Sequence, residues 1–302
     1  MEAVRELSKP GQALAPFAPT ATINNPAWWF NAEEPMPSRR RLHRRLLEEA
    51  RDAAPEVEQQ RRAIVLAGPP GAGKSTVLQQ VLGADRGKYL VVDADEFKRG
   101  LLDEARADGS YDSWLMPDAI RELQAQGEQF YPLELAALVH EESSYLAKAL
   151  RADAIHAGDN LVIDAVLSKE ADAIRLGEIL HAEGYDVQVI DVEVPYELSE
   201  SRIRARWEHA YADALNGAGA LGGRWVPSEY ARAVFAGPDD PSLPEVAARS
   251  LAVSCPAVSH YRVFRTTMEQ AHEPHAQPTV DVDMMRSSPS EPLTDSVSTA
   301  TR

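Results

Sequence analysis

The sequence is poor in several features that define other classes of protein. Among its 302 residues there is a single cysteine, Cys255, so no disulfide can form within the chain, and a cytoplasmic location is expected. No apolar run approaches the roughly 18 residues of a membrane helix. The first residues lack the apolar core of a signal peptide. Neither a membrane protein nor a disulfide-stapled secreted protein is therefore expected.

An excess of basic residues is also lacking. Lys and Arg together number 31 against 47 Asp and Glu, which gives a net charge of −16. Proteins that bind nucleic acid usually carry a basic field, so no nucleic-acid partner is predicted. Apolar residues make up 44% of the chain and charged residues 26%, as in ordinary globular proteins.

The most informative segment is a glycine-rich loop that reads G-x-x-x-x-G-K-S. A short apolar run, 63–67, precedes it, and a segment with helical spacing of apolar residues follows it. This strand–loop–helix order is the setting in which backbone N–H groups and a helix N-terminus bind phosphate. The predicted nucleotide-binding residues are Gly68, Pro69, Pro70, Gly71, Ala72, Gly73, Lys74, Ser75 and Thr76. Lys74 would reach the β- and γ-phosphates, and Ser75 would bind Mg²⁺. Because no guanine-specific Asn-Lys-x-Asp motif is present, ATP is favoured over GTP.

Strand and helix patterns alternate from residue 63 onward, which predicts an α/β fold: a P-loop NTPase-type parallel sheet covered by helices on both faces. The fourth strand alternates Asp and Glu with Val, which suggests one wetter face. Strands are expected at 63–67, 89–93, 160–164, 185–194 and 261–265, and helices at 74–83, 132–157, 168–183 and 196–210.

Three parts are predicted along the chain. Residues 1–37 form a Pro-rich extension whose aromatics, Trp28 to Phe30, dock on the folded body or anchor a partner. Residues 38–265 form the P-loop domain, which includes a helical insertion at 211–257. Residues 266–302 contain few apolar residues and are expected to be disordered.

Acidic residues stand at the carboxyl ends of the predicted strands, where ligands bind in open α/β sheets. Asp93 and Asp95 follow the second strand, and Asp164 ends the third. One such acid can bind the metal ion, and another can accept a proton from a hydroxyl nucleophile. The alternative is that Asp93 or Asp95 caps the following helix.

Glu142 and two arginines complete the candidate set. Glu142 falls on the apolar stripe of its helix, where an acid needs either a partner such as an arginine or a substrate hydroxyl, unless it lies at the wet edge of the stripe. Arg206 lies on the helix after the fourth strand, and Arg224 follows a glycine-rich loop that could act as a hinge. Arginines of this kind stabilise charge on a transferred phosphoryl group, although salt bridging is the simpler interpretation for an acidic protein.

The order of these elements resembles the zeta toxin family of bacterial P-loop kinases, over about residues 38–265. The segment Asp93-Ala-Asp95-Glu96-Phe97 matches the Asp-x-Asp-x-Phe that holds the catalytic base of the family. Glu142, Asp164, Arg206 and Arg224 match a helix glutamate, a strand-end acid and two catalytic arginines. Where the family has Glu-Gly-Thr after the third strand, this sequence has Asp164-Ala-Val166.

The resemblance implies an ATP- and Mg²⁺-dependent kinase for a hydroxyl of UDP-N-acetylglucosamine or a related nucleotide sugar. It assigns Asp95, Arg206 and Arg224 to catalysis and Glu142 and Asp164 to the acceptor. The P-loop motif adds Lys74 to the catalytic residues and Ser75 to the metal ion, and the strand-end acid Asp93 is the second predicted metal ligand. It also implies a possible antitoxin partner. Two alternatives stay open: a kinase for another acceptor, such as a dinucleotide or an antibiotic, and a nucleotide-dependent partner-binding switch.

Overall fold

A computed structural model describes residues 2–31, 33–219, 221–237, 240–273 and 277–296. The chain forms two compact units. We call the first the helical unit (Met1–Ala53, Asp93–Leu150 and Ile203–Glu229) and the second the sheet unit (Ala54–Val92, Arg151–Arg202 and Tyr230–Arg302). The division into three parts along the chain stays a prediction.

The sheet unit is built on one seven-stranded sheet, in the order β4-β5-β3-β6-β7-β8-β9. The neighbouring strands from β4 to β7 pair in parallel, as predicted, whereas β8 and β9 pair antiparallel at one edge. The strands of the described chain are β1 (Trp29–Asn31), β2 (Glu34–Pro35), β3 (Arg62–Ala67), β4 (Leu90–Val92), β5 (Leu161–Asp164), β6 (Asp186–Glu193), β7 (Val258–Arg265), β8 (Thr279–Met285) and β9 (Thr294–Asp295).

Helices cover this sheet on both faces. On one face α3 packs through Val77 and Leu78, and on the other α7 and α10 pack through residues such as Leu176 and Leu251. The segment predicted as an insertion thus contributes α10 to a covering layer. The helices of the described chain are α1 (Glu2–Leu7), α2 (Pro37–Asp52), α3 (Lys74–Leu82), α4 (Ala94–Asp108), α5 (Asp118–Ala125), α6 (His140–Ala157), α7 (Glu170–Ala182), α8 (Tyr196–Leu215), α9 (Ser228–Ala233), α10 (Leu243–Ser254) and α11 (Met268–Ala271).

Two sequence predictions differ from the structure of the sheet unit. The tail expected to be disordered contains β8, because hydrogen bonding to β7 and partial burial of Val282 and Met284 offset the low apolar content of the segment. Residues 274–276 and 297–302 of that tail lie outside the described residues. The wetter face expected for the fourth strand is wrong at its end, since Asp191 and Glu193 of β6 are buried.

The helical unit contains α2, α4 and α5, a 3-10 helix at Pro132–Val139, a π-helical turn at Tyr111–Leu115, and parts of α6 and α8. The helix predicted over 132–157 is therefore 3-10 in its first two turns and becomes α-helical at His140. Trp29 docks in this unit as predicted, buried against His43 and Tyr145, while Phe30 is exposed. Among the described residues, no helix has the length and apolar character needed to cross a bilayer.

Candidate active site

The P-loop of the sheet unit has the geometry that its sequence predicts. β3 is buried from Ala63 to Ala67, and the loop that follows turns into α3 at Lys74. Three glycines of the loop take positive φ angles, at Gly68, Gly71 and Gly73. A Cβ atom on Gly68 would lie 2.2 Å from the carbonyl oxygen of Val192, so the loop can pass β6 this closely only with glycine there.

Lys74 lies against its own loop. Its Nζ donates to the carbonyl oxygen of Gly68 at 3.0 Å, and it lies 4.0 Å from Oδ1 of Asp164. Asp164 ends β5, which pairs with β3, and its side chain is 27% exposed. The structure therefore brings the predicted strand-end acid beside the predicted phosphate-binding lysine.

Two residues that were not predicted as site residues donate hydrogen bonds to backbone carbonyl oxygens of the P-loop. Ser199 Oγ donates to the carbonyl oxygen of Pro70 at 2.6 Å, and Arg202 Nη1 donates to that of Ala72 at 3.0 Å. Both residues belong to α8. By taking carbonyl oxygens, they orient peptide groups whose N–H ends are the anion-binding part of a P-loop. Their spacing of three on one helix was the available signal, because i and i+3 share a helix face.

The predicted catalytic acids lie at the start of α4 in the helical unit. Asp93 is the N-cap, and its side chain accepts from the backbone N–H of Asp95 at 2.8 Å, so the capping alternative holds for Asp93. Asp95 Oδ1 accepts from Lys98 Nζ at 2.9 Å and from Arg224 Nη1 at 2.9 Å. The structure thus brings the predicted base Asp95 and the predicted catalytic arginine Arg224 together.

Charges around Asp95 decide its ionisation. Burial acts to raise the pKa of Asp95, but the positive charges of Arg224 and Lys98 outweigh it and hold the pKa below its ordinary value. Arg206 adds a third positive charge, and burial lowers its own pKa. His140 stays neutral near pH 7, because burial and then the charge of Lys98 lower its pKa to about 4. Asp95 is therefore a carboxylate at neutral pH.

Lys98 is the residue of this cluster that the sequence analysis missed. Its side chain is 8% exposed, and it lies one turn after Asp95 on α4. Burial lowers its pKa, while the charge of Asp95 opposes that shift. A lysine three positions after an acid looks like an ordinary surface pair, and only the tertiary burial distinguishes this one.

Two of the glycines before Arg224 allow close packing, and the hinge expected of this loop stays a prediction. A Cβ on Gly222 would lie 2.3 Å from Cβ of Tyr131, and one on Gly223 would lie 2.5 Å from the carbonyl oxygen of Trp207. Trp225, the next residue after Arg224, is buried edge-to-face against Trp207. Arg224 therefore lies between two glycines and a tryptophan that are closely packed against neighbouring residues.

Glu142 is fully buried, as its place on the apolar stripe predicts. Its carboxylate accepts from Arg39 Nε at 2.5 Å, from Arg39 Nη2 at 2.8 Å and from His43 Nε2 at 2.6 Å. Burial acts to raise the pKa of Glu142, but these hydrogen bonds lower it to about 2. The arginine partner that the sequence left open is Arg39, whose guanidinium also stacks on Trp28 at 4.1 Å. A contact between Glu142 and an acceptor stays a prediction, and it would have to displace one of these partners.

The family model described as Zeta toxin matches residues 47–253, a range that includes the P-loop and the charged side chains around Asp95. The chain belongs to the zeta toxin family. This match covers more than half of the sequence and agrees with the resemblance based on Asp95, Glu142, Asp164, Arg206 and Arg224.

Solved structures of similar fold include three crystal structures of the AvrRxo1-ORF1:AvrRxo1-ORF2 complex. The native complex is 19% identical with a TM-score of 0.60, the complex with sulphate ions 19% with 0.59, and the complex with ATP 20% with 0.54. Each covers 89% of this chain and 73% of that chain. At these identities the likeness shows the fold alone. Among curated proteins, none matches this chain significantly.

Proposed function

We propose that this zeta toxin family member transfers the γ-phosphoryl group of ATP to a hydroxyl group of a nucleotide sugar, with UDP-N-acetylglucosamine as the first candidate. Membership of the family, on a match that includes a well-formed P-loop, is the observation that carries the proposal. The acids and arginines that such a reaction needs are present in the same matched segment.

The nucleotide would bind at the P-loop of the sheet unit. The left-handed glycines and the start of α3 at Lys74 provide the amide-lined concavity that phosphate oxygens require. Lys74 already lies within this loop, so it needs only to exchange the Gly68 carbonyl for a phosphate oxygen. The crystal structure of AvrRxo1-ORF1:-ORF2 with ATP supports the same nucleotide for this fold.

Asp95 is the proposed general base. Its carboxylate takes the proton of the acceptor hydroxyl, the hydroxyl oxygen forms a bond to the γ-phosphorus, and the bond from that phosphorus to the β–γ bridging oxygen breaks, releasing ADP. Lys98 and Arg224 both bind Oδ1, so Oδ2 is the oxygen proposed to take the proton. Arg206 and Arg224 are proposed to stabilise the charge of the phosphoryl group in transfer.

Mg²⁺ fits the chemistry of the predicted ligands Ser75 and Asp93, since a hydroxyl group and a carboxylate each offer oxygen. When bound, the ion would neutralise charge on the β- and γ-phosphates. In the described geometry, one oxygen of Asp93 caps α4. Asp164, beside Lys74, is a further oxygen donor close to the P-loop.

The acceptor is proposed to contact Asp164. Glu142 would contact the acceptor directly only after releasing Arg39 or His43; otherwise its proposed role is to position those two side chains. Because Asp164-Ala-Val166 shortens the acid and removes the hydroxyl of the family pattern, another acceptor is the second candidate. An antitoxin partner is also proposed, since the AvrRxo1-ORF1 structures are two-protein complexes.

The proposal is tested by incubating the protein with Mg-ATP and a panel of nucleotide sugars, dinucleotides and aminoglycosides, followed by mass spectrometry. The expected result is one added phosphoryl group on a nucleotide sugar, and no product with the Lys74→Ala variant. Phosphorylation of another class of acceptor would replace the substrate while keeping the kinase. If ATP binds but no acceptor in a broad metabolite extract gains a phosphoryl group, the partner-binding switch becomes the better account.

A further inference from the structure

Three carboxylates that are not among the predicted site residues meet in the sheet unit, where Asp191 pairs in register with Ala67, the last residue of β3 before the P-loop. Asp191 and Glu193 stand two positions apart near the end of β6, and Glu245 lies in the first turn of α10. One oxygen from each lies within 4.8 Å of the others. Asp191 is on the same sheet face as Val187 and Val189, which α7 and α10 cover, and α3 packs on the opposite face.

These carboxylates are buried far more than their charges would ordinarily allow. Asp191 is 0% exposed and Glu193 is 3% exposed, while the Glu245 side chain is 17% exposed. Acids this deep are kept charged only by a partner.

Hydrogen bonds and ion pairs with other residues compensate only part of the negative charge of these three carboxylates. Glu193 Oε1 accepts from Ser242 Oγ at 2.8 Å. Glu245 Oε1 accepts from Arg265 at 2.9 Å, but Arg265 also binds Asp281 at 3.0 Å, so its single charge is shared. Neither carboxylate oxygen of Asp191 has a donor among the described residues, and a hydrogen bond between Asp191 and Glu193 requires a proton on one of the two carboxyl groups.

A second unsatisfied oxygen lies in the segment next to the cluster. The backbone N–H of Thr266 donates to the carbonyl oxygen of Glu193 at 3.0 Å, and the side-chain Oγ1 of Thr266 is buried with no hydrogen-bond partner in the described chain. Thr266 therefore places a buried hydroxyl group in the residue whose backbone binds Glu193, and hydroxyl oxygen, like carboxylate oxygen, is a ligand of hard cations.

We propose that Asp191, Glu193 and Glu245 bind a hard divalent cation of the Mg²⁺, Mn²⁺ or Ca²⁺ class. The donors are all oxygen, which suits hard cations and not the nitrogen- and sulfur-seeking metals. The cation would take one oxygen from each carboxylate and so tie the end of β6 to the start of α10. This site is distinct from the predicted Mg²⁺ ligands Ser75 and Asp93, with which it shares no residue.

The competing state is a shared proton. Burial and the neighbouring carboxylates raise the pKa of Asp191, so a protonated Asp191 could donate to Glu193. A proton on Asp191 allows one hydrogen bond to Glu193 but leaves the remaining negative charges close to one another. A divalent cation would attract all three carboxylates. The two states differ in a directly measurable way, because only one of them binds metal.

The test is titration calorimetry of Mn²⁺ into the nucleotide-free, metal-stripped full-length chain at pH 7.5. The wild-type protein should bind with a dissociation constant of about 10⁻⁶ to 10⁻⁴ M, and Asp191→Asn should weaken binding at least about ten-fold. Asp186→Asn, at the exposed start of β6, is the matched control and should leave the affinity unchanged. Ser75→Ala should also retain this binding, which separates the cluster from the P-loop.

Thermal unfolding of the same proteins gives a second readout that does not depend on activity. Mn²⁺ should raise the Tm of the wild type and of Asp186→Asn, and this rise should be absent in Asp191→Asn. The metal-free Tm of Asp191→Asn shows whether that variant folds, and Glu193→Gln replaces it if it does not. The inference is overturned if the wild type binds no Mn²⁺ at millimolar concentration, or if Asp191→Asn binds it as tightly as the wild type does.

Discussion

Replacing Glu142 by glutamine tests the role of a deeply buried ion pair of the helical unit. Glu142 is 0% exposed, and the side chains of Arg39 and His43 are each 5% exposed. The glutamine side chain would keep an oxygen acceptor but remove the charge, so the guanidinium of Arg39 would remain buried without a counter-ion. Removing one partner of a buried pair costs about 3–5 kcal/mol, because the remaining charge is uncompensated.

Urea unfolding followed by circular dichroism at pH 7 measures this loss as a lower midpoint and a lower free energy of unfolding. Glu141→Gln is the matched control, since its side chain is 35% exposed on the same helix turn and should change the free energy by less than about 0.5 kcal/mol. The double variant Arg39→Met with Glu142→Met should recover part of the loss, because it leaves no buried charge.

The pH dependence follows from the same contacts. The pKa of Glu142 is lowered to about 2 from an ordinary value of 4.5. Its stabilisation is therefore fully present above the unfolded pKa and is lost as the pH falls through the folded pKa. The wild type should lose its advantage over Glu142→Gln between about pH 5 and pH 2. Equal urea midpoints for Glu142→Gln and Glu141→Gln at pH 7 would show that the buried pair adds no such stability.

Three further predictions concern single positions. Gly68→Ala should abolish ATP binding in a fluorescence titration and lower stability by more than about 1 kcal/mol, since its Cβ would meet the Val192 carbonyl at 2.2 Å; unchanged ATP affinity would contradict this account of the loop. Lys98→Met removes a positive charge beside Asp95, so it should raise the pKa of Asp95 and move the acid limb of the profile of rate against pH to higher pH. Lys98→Arg should return that limb to its wild-type position. If Lys98 were purely structural, the pH of the acid limb would be the same in all three proteins. Burial raises the pKa of Glu134 to about 7, so the stability that protonated Glu134 gives the folded state is lost as the pH rises through that value. The free energy of unfolding of the wild type should therefore fall relative to that of Glu134→Gln between pH 5 and pH 8. Parallel curves of stability against pH for the two proteins would refute this.

Local sequence patterns were sufficient to predict the five parallel strands of the sheet and the P-loop. The strand before Gly68 is a continuous apolar run, and the glycines and Lys74 stand at fixed positions between that strand and a helix, so no tertiary information was needed. β8 was missed because its alternation of Val with Asp resembles a polar tail, and only pairing with β7 makes it a strand.

Pairings between distant residues could not be predicted in the same way. The position of Glu142 on an apolar stripe predicted burial, but α2 offers several arginines of similar spacing, and only the packing selects Arg39. Lys98 resembles a surface lysine in sequence. Asp191 looked exposed because its strand alternates, although α10 covers it. In each case a polar residue acquires its role from the tertiary packing around it.

Asp95 is proposed to accept the proton of the acceptor hydroxyl, and the whole proposed reaction depends on that step. The most direct measurement is the single-turnover rate of phosphoryl transfer from ATP by Asp95→Asn, beside its ATP affinity and beside Asp103→Asn, an exposed acid on the same helix. The account predicts ATP affinity near that of the wild type, a transfer rate lower by about 10²–10⁴-fold, and no effect of Asp103→Asn. A transfer rate for Asp95→Asn equal to that of the wild type would contradict it.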